Sequence, residues 1–522
     1  METPRVPKNM RKSSFISNLA SNGASFAVNL VVGVWFTAYL ARQLGPAAYG
    51  LIPLATTVAS YMSVLTSSLT SSVGRAVTVA HGANDATEVD RVFNTSFFAS
   101  LLFSLVLLVP ALLVGYFAPY WVSVPEGLEN QARVIFIAAG LVFLMTTASM
   151  PYGVALFCKN RLDLSAGITT GMTLLRVGAV WGLFQVTAPN LWQVGVGLVL
   201  AGVAGCAASI IMSRRLMPEF QIRLSSFSRD RLRTLGATGI WVSVTQFGTI
   251  LMLSVDLLMV NVLLGATDAG RYAIPLQLSM LVRQMFSTLA GLFTPTIMAM
   301  HGRGERDALM EYVARGIRMT GYLAAIAGGL MCGFAAPLLT VWLGADFAYL
   351  KPLVWVMIAP LAVNLSVFPM FGLALTVNKV RGPGVVTLAL GLVHIVVAWL
   401  LVEKAGWGMY GVAASAILLL SVKNVFYIPW YTAQAVGSST FSMLAPVLRV
   451  GVVTAAVWAV AAGVNHVWLV DGWVSFFAAG SVAGLMSAIL IYFIFLPQAD
   501  RLVVRSAVLR FKGKYMRGSG VS

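Results

Sequence analysis

The stretches Trp241–Leu264, WVSVTQFGTILMLSVDLLMVNVLL, and Ala273–Met300, AIPLQLSMLVRQMFSTLAGLFTPTIMAM, are the two apolar runs from which the fold can be inferred. Each run exceeds the roughly 20 residues that a helix needs to cross the hydrocarbon core. Similar runs recur along the chain, whose 522 residues are 58% hydrophobic and only 10% charged. The alternating pattern of a membrane barrel is absent, and a chain in lipid must satisfy its backbone internally. The sequence therefore predicts an all-α polytopic membrane protein.

About fourteen transmembrane helices are expected, joined by short connections. Their approximate ranges are 18–40, 50–73, 93–115, 133–155, 165–187, 191–212, 239–264, 273–297, 317–340, 352–376, 384–402, 409–430, 447–464 and 473–496. Most of the 35 lysines and arginines fall in alternate connections, which the positive-inside rule assigns to the cytoplasm. Both termini are therefore expected on the cytoplasmic side.

A short pattern of glycine, tyrosine, isoleucine and proline occurs once in each half of the chain. Its elements are Gln43-Leu44-Gly45, Tyr49-Gly50 and Ile52-Pro53 in the first half, and Leu263-Leu264-Gly265, Gly270, Tyr272 and Ile274-Pro275 in the second. We interpret this echo as a duplication of six spans. Because six is an even number, both copies enter the membrane from the same side. This predicts two six-helix lobes related by a pseudo-two-fold axis along the membrane normal.

The predicted organisation follows from this duplication and from a basic connection in the middle of the chain. It comprises an N-terminal lobe (1–213), a basic cytoplasmic linker (214–235), a C-terminal lobe (236–432), two extra C-terminal helices (433–497) and a basic cytoplasmic tail (498–522). Two repeated lobes around a central cavity are typical of transporters.

Three charged residues fall deep within predicted spans, namely Arg176, Asp256 and Arg283. A charge at the bilayer centre costs roughly 2.5–3.5 kcal/mol on insertion scales, so such residues normally face a partner or a wet cavity. In the structural interpretation, Asp256 forms a direct ion pair with Arg283. In the functional interpretation, Arg283 and Arg176 bind an anionic substrate, because the planar guanidinium group suits phosphate. Asp256 then couples transport to protons or another cation.

Five further residues are candidates with a structural and a functional interpretation. Arg75 and Lys423, near the ends of their spans, are expected either to admit a phosphate group or to act only as topology signals. Pro53 and Pro275 interrupt helices at matching places and are candidate gating kinks. His394 lies within a span, where a buried, hydrogen-bonded histidine is expected rather than a proton relay.

The sequence also argues against several classes of function. The net charge of +17 is explained by topology and by anionic lipid head groups, so nucleic acid is not an expected partner. The three cysteines lack metal-ligand spacing and a phosphate-binding loop is absent, so neither a metal nor a cofactor is expected. Nothing resembles a catalytic motif, and we do not expect an enzyme.

Two segments resemble the signatures of polysaccharide biosynthesis flippases, which include O-antigen flippases and belong to the multidrug/oligosaccharidyl-lipid/polysaccharide exporter superfamily. They are residues 40–50, LARQLGPAAYG, and residues 256–265, DLLMVNVLLG, with AGRY at 269–272. The resemblance implies a transporter of the bacterial inner membrane. It would move a polyprenyl-pyrophosphate-linked oligosaccharide, the repeat unit of a surface polysaccharide or exopolysaccharide, by alternating access. It also implies contact with membrane lipids and with a glycan polymerase and export machinery.

Three alternatives to this function stay open from the sequence. Fourteen spans also resemble the lipid II flippase, although the first lobe offers fewer arginines than that family typically has. A cation-coupled multidrug exporter would favour carboxylates over arginines, so the lone mid-span acid Asp256 counts against it. In an integral scaffold of a glycan assembly complex, mutations in the cavity would be silent.

Overall fold

The regular structure of the chain is helical. The computed structural model describes residues 8–505 except 63, 65, 67–72, 74–75, 78–84, 160, 219, 291–292, 378, 380 and 503–504. No β-strand occurs among the described residues, and the predicted all-α class is confirmed.

Twenty α-helices follow one another in the described part of the chain. They are α1 (Lys8–Tyr61), α2 (Ala86–Tyr116), α3 (Ala118–Trp121), α4 (Glu129–Cys158), α5 (Leu162–Val186), α6 (Leu191–Leu216), α7 (Arg229–Leu253), α8 (Val255–Leu264), α9 (Ala266–Ala290), α10 (Thr294–Gly302), α11 (Arg306–Gly333), α12 (Ala335–Leu343), α13 (Lys351–Ile358), α14 (Leu361–Ser366), α15 (Phe368–Thr376), α16 (Arg381–Glu403), α17 (Gly408–Ser421), α18 (Ile428–Val436), α19 (Thr440–Val467) and α20 (Trp473–Leu490). Short 3₁₀ segments lie at Leu224–Ser226 and Ala345–Leu350, and π-helical segments at Val422–Tyr427 and Ile491–Phe495.

Many of these helices are long and apolar enough to cross a membrane. Within the described residues there are ten such helices, or twelve if two bent pairs each form one span. The pairs are α7 with α8, bent by 43°, and α11 with α12, bent by 70°. The helix α1 enters this count once, although it contains a non-helical residue, Gly45. The multi-span architecture is confirmed, whereas the number of fourteen stays a prediction.

A glycine interrupts the helical backbone at each of the two copies of the repeated sequence pattern. Gly45 has φ 78° and ψ 160°, and Gly265 has φ 95° and ψ 173°. This region of backbone space is essentially restricted to glycine, since a Cβ atom would collide with the neighbouring peptide groups. The two glycines of the repeated pattern therefore adopt the same conformation and turn the chain in the same way.

The chain forms two compact units, and the first contains residues Met1–Ile274 and Arg381–Ala416. In this unit α4 packs against α2 and α6, α5 lies against α1 and α6, and α16 packs along α7. Buried aromatic rings occupy part of the core. Phe93 of α2 stacks on Phe220 with the ring centroids 4.2 Å apart.

Also within the first unit, α1 and the start of α9 cross at a pair of glycines. A Cβ atom on Gly50 would lie 2.7 Å from the Cα of Gly270, and a Cβ atom on Gly270 would overlap the carbonyl oxygen of Pro46. Small residues at helix contacts allow the backbones to approach closely in a membrane. Neither glycine can gain a side chain unless one of the helices moves.

The second unit contains residues Pro275–Val380 and Ile417–Ser522. Its most extensive helix contact among the described residues is between α11 and α19, where a Cβ atom on Gly329 would lie 2.7 Å from Cγ1 of Val457. The segment after α20 is fixed to α11 by a buried ion pair. Asp500 is completely buried and accepts hydrogen bonds from Nε of Arg315 at 2.8 Å and Nε of Arg318 at 2.7 Å.

The predicted lobes divide the chain differently, at the basic connection 214–235. In the structure α16 belongs with α7 in the first unit, because the two helices pack along each other. The division into residues 1–213 and 236–432 stays a prediction. Most of the predicted tail, 498–522, lies outside the described residues.

Candidate functional site

Asp256 lies in the first turn of α8, directly after the 43° bend between α7 and α8. Its side chain is buried, and the residue is 5% exposed. The partial positive charge at a helix N-terminus stabilises a carboxylate in this position. The sequence identifies Asp256 as a mid-span acid. The bend that turns it into a helix-start residue was not predicted.

The carboxylate of Asp256 has a side-chain partner on each oxygen. The hydroxyl of Tyr272 donates to Oδ2 at 2.9 Å, and Nε2 of His394 lies 2.9 Å from Oδ1. On the other side of the imidazole, Nδ1 lies 2.9 Å from Oγ of Ser415. Tyr272, His394 and Ser415 are completely buried. We call these four residues the acid–histidine cluster.

The cluster accommodates two protonation states that differ by one proton. The hydroxyl of Ser415 lies within reach of both Nδ1 and the carbonyl oxygen of His394, the latter at 3.2 Å. When the hydroxyl donates to Nδ1, the Nε2–H donates to the carboxylate of Asp256. When it donates to the carbonyl oxygen, Nδ1 becomes the donor and the second proton is held between His394 and Asp256. In both arrangements every N–H of the imidazole has an acceptor within the cluster.

The structure bears on the sequence predictions for His394 and Asp256. His394 is buried and hydrogen-bonded, as predicted. Asp256 has a basic partner in its own unit, and that partner is the histidine of α16. The sequence did not join the two residues, because 138 positions separate them and no local spacing relates them.

Arg176 lies midway along α5, in the interior of the span. Its guanidinium carbon is 5.5 Å from the centroid of the Phe36 ring, and this cation–π contact offsets part of the cost of burial. The Nε atom is buried and has no hydrogen-bond partner among the described residues. An arginine with an unused, buried donor can bind an anion that reaches it.

A polar ladder joins α1 to α5 on the N-terminal side of Arg176. Ser25 donates to the carbonyl oxygen of Ala166 at 3.0 Å, and Nδ2 of Asn29 lies 3.3 Å from Oγ1 of Thr170. Thr173 donates its hydroxyl to Oδ1 of Asn29. This ladder was not predicted from the sequence. The spacing of Ser25 and Asn29 by four residues places both on one face of a helix and is the signal that predicts it.

Lys423 lies in the π-helical segment Val422–Tyr427, midway along the helical run Gly408–Val436. Only 8% of the residue is exposed, and its Nζ atom is 5.8 Å from the centroid of the Phe371 ring. Arg283 lies within electrostatic range in the same unit. The sequence placed Lys423 near the end of its span. The structure places it in the interior, next to a second cation.

The remaining candidates are less well defined. Arg75 lies outside the described residues. Pro53 and Pro275 lie inside α1 and α9, and the helices continue through both prolines. The gating role of the two prolines stays a prediction. Among the described residues no cluster of three or more His, Cys, Asp or Glu side chains suits a metal ion.

Comparison with known proteins identifies the family. The sequence profile of the polysaccharide biosynthesis proteins matches residues 39–352. This chain belongs to the polysaccharide biosynthesis protein family. It is also 30% identical over 501 residues to the uncharacterized membrane protein EpsK of Bacillus subtilis (strain 168), covering 96% of this chain and 99% of EpsK. The family resemblance found in the sequence is confirmed.

Solved structures show that the fold of this family member is shared with transporters. An inward-facing multidrug resistance MATE family transporter of the MOP superfamily superposes with a TM-score of 0.61 at 18% identity, covering 81% of this chain and 99% of that one. The lipid II flippase MurJ, in an inward closed conformation, gives a TM-score of 0.57 at 11% identity over 89% of this chain and 99% of its own. At these identities the likeness establishes the fold alone.

Proposed function

We propose that the chain is a flippase that moves a polyprenyl-pyrophosphate-linked oligosaccharide, the repeat unit of a surface polysaccharide or exopolysaccharide. It acts across the bacterial inner membrane by alternating access, with both termini in the cytoplasm. Membership of the polysaccharide biosynthesis family supports a glycan as the substrate, and the fold shared with transporters supports alternating access as the mode of action.

The main support is the balance of charge inside the membrane spans. In the second unit Lys423 is buried with Arg283 nearby, and in the first unit Arg176 keeps an unused donor. The mid-span acid Asp256, in contrast, is already held by His394 and Tyr272. Each unit therefore offers basic side chains within its membrane spans to an anion such as a pyrophosphate group.

The basic residues offset the cost of moving this charge through a region of low dielectric constant. An isolated charge pays a large desolvation penalty in lipid, and opposite charges with hydrogen bonds repay it. Arg176 and Arg283 bind phosphate oxygens with a planar array of donors, whereas Lys423 acts as a compact charge. The sugars follow the pyrophosphate, and the polyprenyl tail stays in the bilayer.

Restoration of polysaccharide export tests this function. In a strain that lacks the gene, we expect Arg283→Ala and Lys423→Gln to restore at most about a tenth of the surface polysaccharide that the wild-type chain restores, since a lost charged hydrogen bond costs about 1.5–3 kcal/mol. Lipid-linked repeat units should accumulate in the inner leaflet. Thr432→Val is the matched control, because the Thr432 hydroxyl is bonded within its own helix to the carbonyl of Ile428.

Three results would overturn the assignment. Full export by both variants at normal expression would show that these residues bind no substrate anion. If the purified wild-type protein in liposomes translocates lipid II, and deletion of the gene leaves the surface polysaccharide unchanged, the substrate is the peptidoglycan precursor instead. A change in drug susceptibility alone would indicate a multidrug exporter.

A further inference from the structure

Two buried amides lie side by side in the second unit. Asn364, on α14, is 1% exposed, and Asn424, in the π-helical segment after α17, is 4% exposed. Nδ2 of Asn364 donates to the carbonyl of Pro360 at 2.9 Å and to Oγ of Ser421 at 3.0 Å. Nδ2 of Asn424 donates to the backbone carbonyl of Asn364 at 3.2 Å. The amide nitrogens thus fix the orientation of both side chains.

The two amide oxygens have no hydrogen-bond partner among the described residues. Turning either amide around does not help, because its oxygen would then face a carbonyl oxygen, of Pro360 or of Asn364. Buried acceptors without a donor lower the stability of a folded protein, and a native chain keeps them for a reason. Asn364 and Asn424 therefore offer two buried acceptors to which no described residue donates.

The charges of Lys423 and Arg283 favour one kind of donor at the two amide oxygens over another. Lys423 is adjacent to Asn424 in the sequence, and Arg283 lies within electrostatic range of Lys423. Two positive charges disfavour a metal cation at the amide oxygens, since like charges repel strongly in a medium of low dielectric constant. A neutral hydroxyl group meets no such repulsion. A ligand that carries both an anion and hydroxyl groups satisfies the basic residues and the amides together.

Both elements that carry the amides are interrupted helices. The helix α14 spans only Leu361–Ser366, between Pro360 and the start of α15. Asn424 lies in the π-helix Val422–Tyr427, directly before α18 with Pro429 in its first turn. π-helical turns and breaks at proline are the places where helices bend and where functional groups are frequently found. Both amides are covered in this conformation, so a ligand reaches them only if the helices bend at these breaks.

We infer that Asn364 and Asn424 form a sugar subsite, in which their amide oxygens accept hydroxyl groups of the first sugar of a phosphate-linked glycan. Lys423 and Arg283 bind the phosphate next to it. The subsite rests on the proposed function, because it presupposes a substrate with a phosphate at that place. It adds that the protein recognises the glycan as well as the charge.

Binding to the full-length protein in lipid nanodiscs tests the subsite. The probes are farnesyl diphosphate, farnesyl-diphospho-glucose and its single deoxy-sugar analogues, with affinity measured by calorimetry. We expect the sugar-bearing probe to bind about tenfold more tightly than farnesyl diphosphate, from two added neutral hydrogen bonds. In Asn424→Leu this preference should disappear while farnesyl diphosphate binds as in the wild type. Thr432→Val should keep the preference.

The outcomes separate the two levels of inference. If wild-type protein binds farnesyl diphosphate in a Lys423-dependent manner but shows no preference for glucose or any deoxy analogue, the subsite is refuted and the anion site stands. If neither probe binds, the anion site fails, and the subsite fails with it. Should Asn424→Leu not fold, the deoxy analogues are compared on the wild type and on Asn424→Ser. The subsite requires a hydroxyl whose removal weakens binding to the wild type and not to the variant, because a hydroxyl can donate as well as accept.

Discussion

Asp256 differs from a solitary acid in a membrane because it is bonded on both oxygens. Tyr272 and His394 hold the carboxylate, and Ser415 holds the far side of the imidazole. The protonation change that the cluster accommodates requires only the rotation of one hydroxyl. The coupling role of Asp256 stays a prediction, and the cluster gives it a specific form, in which His394 is the partner of the carboxylate.

At this scale we predict that Asp256→Asn uncouples transport from an imposed gradient. The amide can still accept from Tyr272, but it carries no negative charge, so a doubly protonated imidazole at His394 loses its counter-charge and that state is disfavoured. In proteoliposomes, a proton or sodium gradient should accelerate wild-type translocation several-fold and leave the variant unaffected, while exchange without a gradient continues. Asp268→Asn, at a half-buried pair with Arg271, is the control. An undiminished gradient response in Asp256→Asn would refute coupling at this site.

Glycines determine how closely the helices of the first unit approach. Gly45 and Gly265 turn the chain through the same backbone conformation, and Gly50 then meets Gly270 where α1 crosses α9. In both copies the glycine at the turn precedes the glycine at the crossing by five residues. The sequence echo is thus matched by equal local geometry.

We expect Gly270→Ala to destabilise the protein, because the new Cβ atom would overlap the carbonyl oxygen of Pro46. Overpacking of this kind costs about 1–3 kcal/mol, and a backbone atom cannot move aside as a side chain does. The melting temperature in detergent, followed by tryptophan fluorescence, should fall by several degrees. Gly171→Ala on α5 serves as the control, since its Cβ atom would meet nothing within 4 Å. Equal melting temperatures for both variants would contradict the crossing.

Helices that follow from composition were predictable from the sequence. Features that depend on tertiary contacts were not. Long apolar runs predicted the helices and their approximate ranges. The pairing of Asp256 with His394 joins residues on α8 and α16, and no sequence period relates them. The π-helix that carries Lys423 is equally invisible, since it differs from an α-helix by one residue in the hydrogen-bond ladder and carries no composition signal.

On the scale of the whole molecule, the distribution of basic residues predicts the orientation in the membrane. Arginines are concentrated in connections such as 214–235, whereas the connection between α3 and α4 contains one glutamate, Glu126, and no lysine or arginine. The positive-inside rule assigns the first connection to the cytoplasm and the second to the outside. The proposed direction of transport depends on this orientation, because a lipid-linked glycan is loaded from the side of the membrane on which it is made.

Cysteine accessibility in intact cells tests the orientation. After replacement of Cys158, Cys206 and Cys332, a membrane-impermeant maleimide should label Glu126→Cys from outside the cell. Arg223→Cys should be labelled only after the cells are opened. Both residues are exposed, so burial does not decide the result. The reverse pattern would place the termini outside and would contradict the proposed direction of loading.

The ion pairs of Asp500 limit where the protein can be shortened or fused. Arg315 and Arg318 of α11 both bind its buried carboxylate. A chain cut before residue 500 would leave two neighbouring guanidinium groups without their shared acid, whereas a junction beyond Arg505 keeps it. Affinity tags and fluorescent reporters are therefore best attached to the far end of the tail, and a deletion series from the C-terminus should stop short of Asp500.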